Sequence, residues 1–213
     1  MTDDRMSGLA LIASSVAGII TMSLHPTGHD LFVPGQLDSV IRVLVAVHAL
    51  ALVSLPVCFL GALGLSRRLA AADRLSIAAL VVYGFGLAAI TSAAAFGGLV
   101  APRLAREIVE AAPPASEAWR ILFRYTGQLN QAFAQVFVAA SSIAILLWSA
   151  AILRSRALAP GLGVYGCVLG PVTLLALLSG RLTMGVHGFG LVVLVQAVWY
   201  VSAGAMLCRP RNA

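Results

Sequence analysis

The chain has 213 residues, 60% of them hydrophobic and 10% charged, with a mean hydropathy of +0.96. Soluble domains carry about 25% charged residues, so this chain lacks the polar side chains to cover a water-facing surface and reads as a single polytopic membrane domain over residues 1–213. Its net charge of +6 comes from fourteen Arg and no Lys, placed in short segments between apolar runs; there they set membrane topology, and no nucleic-acid partner is expected.

A spanning helix needs roughly 20 apolar residues, because the hydrocarbon layer is about 30 Å thick and a helix rises about 1.5 Å per residue. Six stretches qualify, at about residues 7–24, 40–65, 75–101, 122–153, 161–178 and 184–207. The expected fold class is therefore an all-α integral membrane protein with about six transmembrane helices in a single bundle. The expected location is a cell membrane of the bacterial inner-membrane type, with the lipid bilayer as the first partner.

The first stretch stops at His25-Pro26. Asp3 and Asp4 flank Arg5 before it, and Met22 to Pro26 offers no small-x-small cleavage pattern, so a retained helix is expected rather than a signal peptide. Ser14, Thr21 and His25 share one of its faces. Residues 25–39, HPTGHDLFVPGQLDS, hold two Pro, two Gly, two His and two Asp. Asp38 and Arg42, four apart at the start of the second stretch, are expected to pair.

The third stretch is expected to end before Pro102. Residues 102–120, PRLAREIVEAAPPASEAWR, read as a short amphipathic helix, a break at Pro113-Pro114 and a new helix. Ser116 is its expected N-cap, and Glu117 favours the first turn. If that helix runs on through the fourth stretch to Leu153 it is roughly 55 Å long. Trp119, Phe123 and Tyr125 would then lie near the membrane–water interface. In the sixth stretch Gln196 and Tyr200 form a small polar patch whose expected role is packing.

Orientation follows from the arginines. With the N-terminus inside, the inner segments hold Arg5, Arg67, Arg68, Arg74, Arg154, Arg156, Arg209 and Arg211. The outer ones hold Arg42, Arg103, Arg106, Arg120, Arg124 and Arg181, four of them in one longer segment. Short loops decide, which favours N-in/C-in with the amphipathic helix outside, before the fourth span. Cys58, Cys167 and Cys208 then fall toward the reducing side, where no structural disulfide is expected. Val82 to Leu87 resembles Val186 to Leu191, but at a different depth, so shared composition rather than an inverted repeat accounts for the likeness.

Polar side chains in hydrocarbon are costly and face a bundle interior or a water-filled cavity, so the few present locate any chemistry. All four histidines, His25, His29, His48 and His187, fall in the outer half. Imidazole is a common ligand of transition metals and haem. His25, His48 and His187, with His29 less favoured, are therefore the candidate ligands of a metal ion or haem. Arg124 or Arg181 would neutralise haem propionates, and Tyr83 or Gln131 would hydrogen-bond to the ligands.

In the fourth stretch Arg124, Gln128, Gln131, Gln135 and Ser142 recur at spacings of four, three, four and seven, one narrow helix face with Asn130 beside it. They are the candidate lining of a small-ligand or transport cavity, or the glue between helices. An accessory subunit that meets a homo- or hetero-oligomeric partner is the third reading. Gly84, Gly86, Gly97, Gly98, Gly161, Gly163, Gly166 and Gly170 would allow close helix approach. No acidic residue lies inside a span and no hydrolase or phosphate-binding motif occurs, so no enzymatic activity is assigned.

Overall fold

The computed structural model describes residues 3–70 and 74–209; Arg211, named above, lies outside the described residues. The regular structure of the described residues is all helical, without strands. Six helical segments are long and apolar enough to cross a membrane. Six crossings, an even number, would put the first and last described helix ends on one face.

Helix α1 runs Asp3–Leu24 and stops where Pro26 cannot continue it. A short 3₁₀ turn, Asp30–Phe32, leads to α2, Leu37–Ala70. Helix α3 runs Leu75–Ala95, passes through a π-helical turn at Phe96–Val100 and continues as α4, Ala101–Glu110. Helix α5 spans Ala115–Ser155, α6 spans Pro160–Leu178 and α7 spans Val186–Cys208.

Several expectations change here. The helix of the third stretch does not stop before Pro102, because proline is tolerated in a first turn; Pro102 falls at the start of α4, the expected short amphipathic helix, just past the π turn. Ser116 is not an N-cap: Pro114 holds that position and no side chain caps the helix. Asp38 pairs with Arg106 on α4, Nη2 to Oδ1 3.0 Å, instead of with Arg42, because α4 folds back over the start of α2. The long fourth helix does form, with 41 residues, about 60 Å.

Water-driven burial contributes nothing between helices in lipid, so close packing and interhelical hydrogen bonds must hold the bundle. The inner half is the tight part. Trp148 and Trp199 are fully buried, stacked with centroids 5.9 Å apart, and Tyr83 and Tyr200 meet them edge-on or tilted. The indole N–H groups donate across helices, Trp148 to Ser66 Oγ at 2.8 Å and Trp199 to Ser149 Oγ at 3.1 Å, each contributing about 0.6 kcal/mol. Glycines bring α6 against α5: a Cβ on Gly170 would lie 2.7 Å from the Ser142 carbonyl.

At the outer end a smaller apolar cluster of Leu31, Ile41, Leu44 and Ala105 joins the 25–36 segment, α2 and α4, with Phe123 of α5 against it. Phe123 also meets Phe32 edge-on at 5.4 Å. Phe123 thus serves a small cap over the bundle, while Tyr125 is exposed.

Candidate functional site

Beneath that cap two of the predicted histidines meet. His25 follows the last turn of α1 and His48 lies one third of the way along α2; their rings touch edge to face, centroids 4.9 Å apart and planes at 65°. His25 Nδ1–H donates to the Pro26 carbonyl and His48 Nδ1–H to the Leu44 carbonyl, both at 2.7 Å. A carbonyl only accepts, so each bond fixes the Nδ1–H tautomer. Each Nε2 is left with a bare lone pair, and among the described residues neither Nε2 makes a hydrogen bond. Burial pushes the His25 imidazole below its usual 6.5.

Local sequence explains the placement. In the 25–36 segment Asp30 accepts from the Thr27 N–H at 2.7 Å and from its hydroxyl at 2.9 Å, which closes a turn next to His25. These bonds hold the Asp30 carboxyl below the usual carboxylate range. His48 is buried because α3 yields to it. The π turn carries Gly97 and Gly98, and any side chain there would collide with the imidazole: a Cβ on Gly98 would sit 2.8 Å from His48 Cγ, and one on Gly97 would meet His48 Nε2. Asn130 of α5 completes this corner, its Nδ2–H donating to the Ala93 carbonyl at 2.7 Å just before the π turn. A π turn inside an α-helix is often found at a functional site.

The two rings, Asn130, Thr21, Met184 and Phe189 border a cavity of about 110 Å³. It shares Thr21, Met22, Ala51, Ile90 and Phe189 with a deeper cavity of about 120 Å³ that reaches Ser14, Cys58, Tyr83, Gln196 and Tyr200. Ser14, Thr21 and His25 face inward together, as their shared helix face predicts. The Tyr200 hydroxyl, on a residue only 5% exposed, makes no hydrogen bond there.

The other predicted residues lie elsewhere. His187 is exposed at the start of α7 and borders a third cavity together with His25. His29 and Arg181 are exposed and border none of the three. Tyr83 hydrogen-bonds with Cys58, O to S 2.9 Å. It stands fourteen residues before Gly97, about 21 Å along α3 and out of reach of the rings. Among the described residues no three His, Cys, Asp or Glu gather as a metal would need.

Arg124, Gln128, Gln131 and Gln135 all point outward and border none of these cavities. The reason is length. Counting about 20 residues outward from Arg154 puts the hydrocarbon boundary near Ala134, so most of the stripe projects into water, where amides cost nothing. Farther in, the same face is covered: Ser142 is buried and accepts from Gln196 Nε2 at 3.3 Å.

Asn130 was legible only as the amide beside the stripe. The Gly97-Gly98 pair, one turn before Pro102, was the signal for the helical irregularity that receives His48. No protein-family model, curated protein or solved structure matches the chain.

Proposed function

We propose that this multi-pass membrane protein, of the bacterial inner-membrane type, binds a small ligand in the outer-facing pocket between His25, His48 and Asn130. The observation that carries the proposal is the pair of imidazoles that line one cavity, each with its Nδ1–H spent on a backbone carbonyl and its Nε2 left without a hydrogen bond. The ligand must offer hydrogen-bond donors, because the rings present acceptors. It must also be small: about 110 Å³ is the room of about four waters. A porphyrin is several times larger than this pocket, and the edge contact of the two rings favours a small ligand over haem.

A two-coordinate transition-metal ion is the second reading. A histidine that holds a metal commonly gives its other ring N–H to a carbonyl, as both do here. The chain's own contribution is then two neutral nitrogen donors and a turn that fixes their orientation.

Both forms are tested by ¹⁵N NMR of the histidine rings in detergent-purified protein. Above pH 6.5 both rings are expected as neutral Nδ1–H tautomers. His25 should stay so as the pH falls through 6.5, because its folded value lies below the ordinary one; that neutral-state contribution to stability is complete above 6.5 and is lost on further acidification. Phenol, as a neutral donor, and Cu(I) and Zn(II) are then added in turn. A shift of both Nε2 signals by one probe, abolished in His48→Gln, names the class. An Nε2–H tautomer on either ring, or silence to every probe, would sink the proposal.

A further inference from the structure

The third cavity has a chemistry of its own. Helices α1 and α7 touch at their inner ends, where a Cβ on Gly204 would lie 2.6 Å from the Gly8 carbonyl. Midway they ease apart: a Cβ on Gly18 would meet only Val193, at 3.6 Å. Near the outer end a Cβ on Gly190 would touch nothing but Met22, at 3.7 and 3.8 Å. The two helices form a wedge, and a groove of about 360 Å³ opens at its wide end.

The groove is divided by depth. His25, Thr27 and His187 stand at the top, and Ile19, Val193 and Leu194 form the lower wall. His187 and Leu194 are seven residues apart on α7, about 10 Å. Leu194 of the lower wall is 50% exposed, and Leu24 and Leu191, next in the chain to the lining residues Ser23 and Gly190, are 60% and 57% exposed. In a spanning bundle those side chains face hydrocarbon, so the mouth opens sideways into the outer leaflet and not only into water.

We infer that the groove is a lateral binding site for a lipid of the outer leaflet, its chain along the lower wall and its hydrogen-bonding headgroup at His187, Thr27 and His25. A water-soluble ligand would leave the apolar wall unmatched and would have to cross hydrocarbon at the mouth. A partner helix, about 10–12 Å across, would occupy roughly twice the groove's volume of about 360 Å³ over the same depth of about 10 Å; a single acyl chain would not. The groove shares Met22, His25 and Val186 with the ring pocket, but His187, Gly190 and Leu194 border the groove and not that pocket.

The test uses the full chain reconstituted in phosphatidylcholine vesicles with a trace of phosphatidylethanolamine carrying a diazirine in its acyl chain. After illumination, cross-links are mapped by mass spectrometry. The expected result is labelling concentrated on the outer halves of α1 and α7 and displaced several-fold by unlabelled phosphatidylethanolamine. Labelling of the lipid-facing Val164, Val168 and Val172 of α6 should not be displaced. Gly190→Leu fills the groove with no clash at its Cβ, and should lower the α1/α7 labelling several-fold while sparing α6. Labelling as uniform and non-displaceable on α1 and α7 as on α6 would overturn the site, and the wild-type competition decides this even if the variant folds poorly. Cross-links joining two protein chains at the groove would overturn it in favour of a second copy.

Discussion

Tyr200 shows how a single atom can mark a cavity. Its ring is held by Trp199 and Tyr83, yet its hydroxyl, inside the membrane, makes no hydrogen bond. A buried unpaired hydroxyl costs about 1–3 kcal/mol, and nothing in the aromatic packing requires it, since phenylalanine has the same ring. Tyr200→Phe is therefore expected to leave the fold unchanged or to raise its unfolding free energy by about 1 kcal/mol, read by thermal or denaturant melts in mild detergent. A loss of stability instead would mean that the hydroxyl has a partner in the membrane-embedded protein, with water in the deeper cavity as the obvious supplier. The same logic separates the two polar groups that the sequence paired as packing residues. Gln196 does pack, with its amide spent on Ser142, whereas the Tyr200 hydroxyl lies near Tyr83 and Cys58 without a hydrogen bond of its own.

At the scale of the element, the π turn of α3 carries the site. Gly98→Ala would press a methyl group onto the His48 ring, and neither the α2 backbone behind the ring nor the Nδ1 bond to Leu44 lets it retreat freely. Such overpacking costs about 1–3 kcal/mol, and the melting temperature should fall. Gly127→Ala is the control. Its Cβ would have open space, and a helix gains up to about 1 kcal/mol when alanine replaces an interior glycine, so this variant should melt at or above the parent. Equal effects of the two substitutions would refute the account of the π turn as a fitted recess. Existence of all six long helices was legible in the apolar runs, because hydrocarbon thickness leaves little choice of length. The π turn was not, since periodicity describes regular helices and an inserted residue is invisible to it. Nor was the Asp38–Arg106 pair, which depends on a fold-back between segments 68 residues apart.

For the whole molecule the governing comparison is between helix length and bilayer thickness. Helix α5 is about twice as long as the hydrocarbon layer is thick, so about its outer half stands in water beside α4 and the start of α2. The histidine site thereby lies at the foot of a small outer cap. The glutamine stripe misled for this reason: its spacing was read correctly, but its depth was set by where the helix leaves the bilayer. Gln128→Cys, in a chain with Cys58, Cys167 and Cys208 changed to Ser, should react with a membrane-impermeant maleimide applied to intact cells. Reaction only after permeabilisation would invert the orientation drawn from the arginines. No reaction under either condition would place that part of α5 in lipid. The histidines fared better in the sequence than the glutamines because crowding at one level does not depend on knowing that level: His25 and His48 meet, His187 reaches a neighbouring groove, and only His29 stands apart.

The π turn also sets the phase of everything that follows it. One residue more than an α-turn holds is taken up between Phe96 and Val100, and at 3.6 residues per turn each residue is worth about 100° of rotation. Helix α4 is thus wound about a quarter-turn out of step with α3. It is this offset that turns Ala105 and Ile108 inward and carries Arg106 round to Asp38. The recess that admits an imidazole and the angular setting of the outer cap are one event in the chain, so the histidine pocket and its roof cannot be altered separately at that turn.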